Sequence, residues 1–363
     1  MYKISFPHIG KYHIPIKKMI ENLVGDYGKV ILAPPITKKT IELGTKHSPE
    51  FVCVPFKYNL GNFIEALDNG ANVIIQTNGD CRMGFYSEVQ EQILQDLGYD
   101  FELCIIETNS RNRSLKDFFN TFKKMNPKLT YAKTIKTIAL AIRIIFAMDK
   151  IEQYVRENVG FEVKKGLLEK VENEFLRKIG KADTLLQVEV LYRHYYKLIK
   201  KVKINKPENL MKVGVVGELY VLMEPFSNYF IEKELAKYGV QITRYINVSY
   251  LLFSPQHKIK NLLKEADGYV TYEIGADGTD SVAKTVKFAK QGYDGILHLK
   301  PFGCTPEVNS IPIVQKAADD FGIPVLYFSF DSQTSETGIK TRLEAFYDML
   351  LMKKEGKKEG KNI

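Results

Sequence analysis

The sequence predicts an α/β protein built from two pseudo-repeated parallel-sheet lobes with a helical middle segment. Three observations lead there. Short β-branched runs alternate with helical periodicity at both ends of the chain, as parallel α/β units require. Strand signals stop between residues 111 and 208, where charged helical patterns take over. The two ends also repeat one order of elements. With 363 residues, 45% of them hydrophobic, the chain can fill two such cores without covalent staples.

In the first lobe, residues 1–110, the candidate strands are 2–6, 30–33, 51–54, 72–76 and 103–107. Between them Leu60, Phe63, Ile64 and Leu67 make one helical stripe, and Tyr86, Val89, Ile93, Leu94 and Leu97 another. Residues 111–208 form the helical segment, whose most apolar run, 137–148, is interrupted by Arg143 and reads as a buried amphipathic helix, too short and too charged to span a bilayer. The second lobe, 209–352, offers strands at 212–217, 268–272, 295–299 and 324–329. A last helix carries Ile339, Leu343, Phe346 and Leu350 on one face, and residues 353–363 form a basic tail expected to be mobile.

The repeat is specific. A helix ending at Asn69-Gly70, a strand, a loop with Cys81, a helix and Leu97-Gly98-Tyr99 are matched by Gln291-Gly292, a strand, a loop with Cys304, a helix and Phe321-Gly322-Ile323. Cys81 and Cys304 are therefore counterparts. Cys53 falls opposite Gly275 or Ala276, so the third cysteine has no cysteine partner in the other lobe.

Composition narrows the function classes. The net charge of +9 comes largely from lysine pairs in helical stretches and from the tail. Such runs are solvated faces, and no base-stacking aromatics accompany them, so no nucleic-acid partner is indicated; the basicity suits a phosphate-bearing small ligand. Prolines and histidines interrupt residues 1–20 where an export signal needs an apolar core, so a reducing cytoplasm is the expected location.

Four cysteines without a secretory signal point to packed or metal-binding thiols. Cys104 sits inside an apolar strand and reads as a small buried hydrophobe. Cys53, Cys81 and Cys304 lie at or just after expected strand ends, where open parallel sheets bind ligands and where helix N-termini favour anionic thiolates. No Cys-x-x-Cys pair is present, which disfavours a zinc ribbon or an ordinary ferredoxin. Three thiolates suit one iron–sulfur cubane with an iron left open.

Lys57 and Arg82, close to these cysteines, are candidates for neutralising cluster charge or a thioester oxyanion, with a loop-edge salt bridge as the alternative. Glu307, Glu218 and Glu273 are candidate acid/base groups, with helix capping or solvent exposure as the alternative. Residues 275–281 read as a turn and N-cap in preference to a cation loop. The histidines, among them His8, His13, His257 and His298, read as surface or packing residues.

The segments Cys53-Val54-Pro55-Phe56-Lys57, Asn78-Gly79-Asp80-Cys81-Arg82-Met83-Gly84 and Lys300-Pro301-Phe302-Gly303-Cys304-Thr305-Pro306-Glu307 together resemble the 2-hydroxyacyl-CoA dehydratase and benzoyl-CoA reductase superfamily. Within it they are most similar to the activase-related, dehydratase-like group. The resemblance spans both lobes. It implies one [4Fe–4S] cluster per chain on Cys53, Cys81 and Cys304, a homodimer or a heterodimer with a related subunit, and a coenzyme A thioester or another hard-to-reduce small molecule as substrate. It also implies a separate ATP-dependent iron–sulfur activator, because this chain lacks that ATPase's phosphate-binding signature. Two other readings are a non-catalytic iron–sulfur electron-transfer or partner subunit, and a cluster-free two-lobed binding module.

Overall fold

The structure, a computed structural model, describes residues 1–78, 81–107 and 114–358. Strands β1 (Tyr2–Ser5), β2 (Gly28–Val30), β3 (Val73–Asn78) and β4 (Glu102–Glu107) form one sheet in the order β2-β1-β3-β4. Strands β5 (Met211–Gly217), β6 (Val240–Arg244), β7 (Gly295–Pro301) and β8 (Val325–Phe330) form a second in the order β6-β5-β7-β8. Every pairing is parallel. The two sheets share one topology, so the repeat read from the sequence is a repeat of fold: β1 answers to β5, and β3 to β7.

The chain forms two compact units, Met1–Phe146 with Ile179–Glu189, and Ala147–Lys178 with Val190–Ile363. In the first, the strand period of two separates two cores. Val73 and Ile75 face Ile4, Leu23 and Phe122, while Ile74 faces Phe56, Leu60, Phe63 and Leu94. Each large apolar side chain so buried contributes roughly 1.5–3 kcal/mol. In the second, Val216 and Ile296 pack with Phe288 and Ala318, and Val282 and Val314 pack with Leu262. There the end of the Tyr131–Asn158 helix is tied down by buried charge: Arg156 meets Glu152 at 3.0 Å and Glu232 at 2.8 Å, and Arg244 meets the same two carboxylates.

The first-lobe helices Lys38–His47 and Val54–Asp68 cross almost backbone to backbone. A Cβ on Gly44 would lie 1.7 Å from the Lys57 carbonyl oxygen, and one on Gly61 would lie 1.9 Å from that of Thr40. Only glycine fits at both places.

Several expected elements differ. Residues 51–54 are not a strand: Val54–Asp68 is a helix capped by Cys53, because the apolar stripe from Phe56 to Leu67 and a proline in the first turn outweigh a short β-branched run. Residues 268–272 join no sheet; Asp267 (φ +53°) and Gly268 (φ +86°) enter the left-handed region and turn the chain. Edge strand β6 carries a brief alternation that the sequence reading passed over, with Val240 and Ile242 buried and Gln241 between them half-buried. The last helix, Glu336–Lys358, runs past the expected boundary at Met352 into the basic segment, and Lys354 bonds Asp294 and the Leu210 carbonyl. Among the described residues no helix is long and apolar enough to cross a membrane.

Candidate functional site

Cys53 and Cys304 occupy the same kind of position. Each is the N-cap of a long helix, Val54–Asp68 and Thr305–Phe321, and each helix carries a proline in its first turn. Proline there has no N–H to leave unpaired and a φ already suited to the helix. Neither sulfur caps its helix. Both thiols thus stand at positive helix ends that favour a thiolate. Gly303 (φ +74°) makes the left-handed turn that delivers Cys304 from β7 to its cap. Cys81 follows β3 as Cys304 follows β7, and opens a short turn of helix, Arg82–Phe85, with its carbonyl bonded to Gly84 N–H at 3.0 Å. All three cysteines are half-buried.

Tyr86 joins the two first-lobe cysteines. Its hydroxyl lies 3.4 Å from the Cys53 sulfur, and its ring meets Phe56 edge-on at 4.8 Å. Burial first, then Cys53, with Cys81 adding to it, pushes the phenol above its ordinary pKa. Tyr86 therefore keeps its proton and can donate it to the sulfur when Cys53 is a thiolate. Lys57, on the same helix, is buried at 4% exposure. The side chain of Arg82, the other basic candidate, lies outside the described residues, as do Gly79 and Asp80 of the preceding turn. Cys104 is buried on β4, and burial lifts its thiol to about 11, in keeping with a packing role.

In the second lobe the order β6-β5-β7-β8 puts the topological switch between β5 and β7, outside whose carboxyl ends such folds bind ligands. Glu218 follows β5 and Cys304 follows β7. Glu218 caps the Leu219–Met223 helix, its carboxylate accepting from Val221 N–H at 2.9 Å. Asp277, N-cap of the Gly278–Lys290 helix, accepts from Leu219 N–H at 2.9 Å. Burial pushes Glu218 up to about 7, against its backbone hydrogen bonds and with help from Glu307. Burial, then the charges of Glu218 and Glu307, hold Asp277 well above the ordinary carboxylate range.

Glu307, wholly buried in the first turn after Cys304, meets His298 Nε2 at 2.6 Å and accepts from Ser281 at 2.9 Å. Nδ1 of His298 has no hydrogen-bond partner among the described residues. Burial lowers the pKa of Lys300, while Cys304 and Glu307 nearby raise it. Asp280, also buried, accepts from the Tyr250 hydroxyl at 2.6 Å and faces His257 Nδ1 at 3.2 Å.

The two lobes use one device with different chemistry. At the same register position, β3 carries Gln76 where β7 carries His298. Gln76 bonds Gln90, which in turn donates to the Phe56 carbonyl, tying strand to both neighbouring helices through amides. His298, Glu307 and Ser281 make the same tie with titratable groups.

Among the sequence candidates, Cys53 and Cys81 are brought together by Tyr86, and Glu218 and Glu307 interact. Glu273 is exposed. Residues missed by sequence reasoning are Tyr86, His298, Lys300 and the Asp280–His257 pair; Asp277 lies in the stretch expected as a turn and N-cap, and is that cap. Tyr86 sits within an apolar stripe, and the counterpart of Cys53 expected at Gly275 or Ala276 lies one or two residues before Asp277, the capping residue. Among the described residues no three His, Cys, Asp or Glu side chains are grouped to hold a metal ion. Two of the cysteines belong to the first unit and Cys304 to the second. As donors they fit an iron–sulfur cluster: half-buried thiols at helix starts, not spent on capping.

No curated protein matches the sequence. A model of the 2-hydroxyglutaryl-CoA dehydratase D-component family matches residues 28–350, which takes in both sheets from β2 to β8 and all three cysteine segments. The chain belongs to that family.

Proposed function

We propose that this chain is the [4Fe–4S]-bearing component of a 2-hydroxyacyl-CoA dehydratase-type system, with one cluster held by Cys53, Cys81 and Cys304. It works in an anaerobic cytoplasm on a coenzyme A thioester, with a separate ATP-dependent activator and in association with a second copy or a related subunit. When bound, such a cluster supplies one-electron transfer and an iron able to act as a Lewis acid. The observation that carries this reading is the shared placement of Cys53 and Cys304, each at an N-cap with its sulfur not used for capping.

The chain's own residues have definable tasks. Tyr86 donates toward the Cys53 sulfur and steadies its thiolate. Lys57 and Lys300, both buried, bring positive charge into lobes that hold anionic sulfur. Glu218, with a pKa of about 7, can hold or release a proton near neutrality, which suits the proton transfers that removal of water from a 2-hydroxyacyl group requires.

Anaerobic reconstitution with iron and sulfide, followed by metal analysis and electron paramagnetic resonance, tests the assignment. Four irons per chain and a reducible signal are expected, on the usual stoichiometry of about four irons per cubane. A protein that takes up no iron with its cysteines intact overturns it. Turnover of a 2-hydroxyacyl-CoA in the presence of activator separates a catalytic component from an electron-carrying one.

A further inference from the structure

The capping site that holds Cys53 in the first lobe holds Asp277 in the second. The two helix starts at this point of the second lobe touch: a Cβ on Gly278 would lie 2.7 Å from the Pro306 carbonyl oxygen, two residues beyond Cys304. Where the first lobe sets a second thiol beside its strand-end cysteine, the second lobe sets a buried carboxyl. Asp277 hydrogen-bonds Leu219 N–H and Glu218 bonds Val221 N–H, so one short helix start binds both acids.

A second observation points to the same place. Lys300 is 5% exposed, and among the described residues its ammonium has a single long hydrogen bond of 3.5 Å, to the neighbouring Pro301 carbonyl. The charges that act on it are Cys304 and Glu307. An ammonium has three protons to share, so Lys300 is equipped to face an anion at Cys304. Besides each other, the charged groups that act on the acid pair among the described residues are Glu307 on both and Asp280 on Asp277. Glu307 is itself held by His298 and Ser281.

We propose that Glu218 and Asp277 take up one proton from solvent when the centre held by Cys304 and its partner cysteines gains one electron. The inference rests on the cluster assignment and adds a role that assignment does not contain. A low-potential one-electron donor supplies the electron, and water supplies the proton. On reoxidation both leave, so the lobe's net charge does not change. In the electron step the acids act as positioning residues for charge: they keep an added negative charge from accumulating in the lobe that carries Cys304. Lys300 supplies the fixed part of the compensation and the acid pair the variable part.

The test uses the full chain reconstituted anaerobically, its iron content measured first. The midpoint potential is then followed by electron paramagnetic resonance during titration with titanium(III) citrate at several pH values around neutrality. A one-electron, one-proton step lowers the potential by about 59 mV for each tenfold fall in proton concentration. The wild type should show that slope, and the Glu218→Gln, Asp277→Asn double variant should hold iron but lose the slope. An iron-replete wild type with a flat potential overturns the inference alone, and a double variant that keeps the slope does the same. Should the double variant not hold iron, the two single variants decide, and a slope unchanged in both overturns it. A wild type that takes up no iron overturns the cluster assignment and this inference with it.

Discussion

The Tyr86 hydroxyl stands 3.4 Å from the sulfur of Cys53, and the phenol's raised pKa keeps its proton in place to be donated when the sulfur is a thiolate. A donor aimed at sulfur favours the thiolate over the thiol. Tyr86→Phe should therefore raise the pH at which Cys53 becomes reactive by about one unit, equivalent to roughly 1.4 kcal/mol. Alkylation of the metal-free protein with iodoacetamide across pH, resolved by peptide mass spectrometry, reads this directly; an unchanged Cys53 profile contradicts the donor role.

The three cysteines should be separable from the fourth. Cys53→Ser, Cys81→Ser and Cys304→Ser should each lose most of the bound iron, because thiolate ligation is what a cluster needs. Cys104→Ser should keep it, since Cys104 is buried on β4 with its thiol pushed up to about 11. Iron and acid-labile sulfide per chain give the answer.

Glu218 gives the metal-free protein a definite pH dependence. Burial raises its folded pKa from 4.5 to about 7, so the folded state binds the proton more tightly than the unfolded one. The stability this supplies is complete at acid pH and is lost as pH rises from the unfolded value through the folded one. The loss amounts to roughly 3 kcal/mol. Glu218→Gln keeps an oxygen for Val221 N–H and should flatten that part of the curve. Urea midpoints measured across this range check it, and a variant as pH-dependent as the wild type refutes the attribution.

Gly278→Ala places a methyl group against backbone atoms of Pro306 and the Ile274 side chain, 2.7 Å and 2.8 Å away. Overpacking of this kind costs about 1–3 kcal/mol. The urea midpoint should fall, and iron retention should fall further than in a control of equal stability, since the helix start that carries Cys304 must move.

Glu307→Ala strips His298 and Ser281 of their common partner in a site with no exposure. Unsatisfied buried groups of this kind cost about 3 kcal/mol. Glu307→Gln keeps the acceptor and should cost less. Equal losses in the two variants, measured by denaturant unfolding, contradict the hydrogen-bond account.

The parallel-sheet lobes and their repeat were legible in the sequence because strand and helix periods are local and appear twice in the same order. What failed was also local. The stretch 51–54 looks like a strand in isolation, and only the helix it introduces, with Pro55 in its first turn, turns Cys53 into a cap. The cysteines themselves stood out by residue type and position. Their surroundings did not, because Tyr86 reaches Cys53 across thirty-three residues and Asp277 reaches Leu219 across fifty-eight. No periodicity encodes a contact of that separation. His298 looked like packing because its neighbours on β7 are apolar, and its partner Glu307 comes from the next helix.

The paired clamps leave the two halves of one architecture with different sensitivities. The Gln76–Gln90 tie carries no ionisable atom, so acidity does not act on it directly. The His298–Glu307 tie does carry them, and it stands next to Glu218 and Asp277. One architecture used twice thus sets two of the three thiols beside an amide tie and the third beside a tie made of ionisable groups.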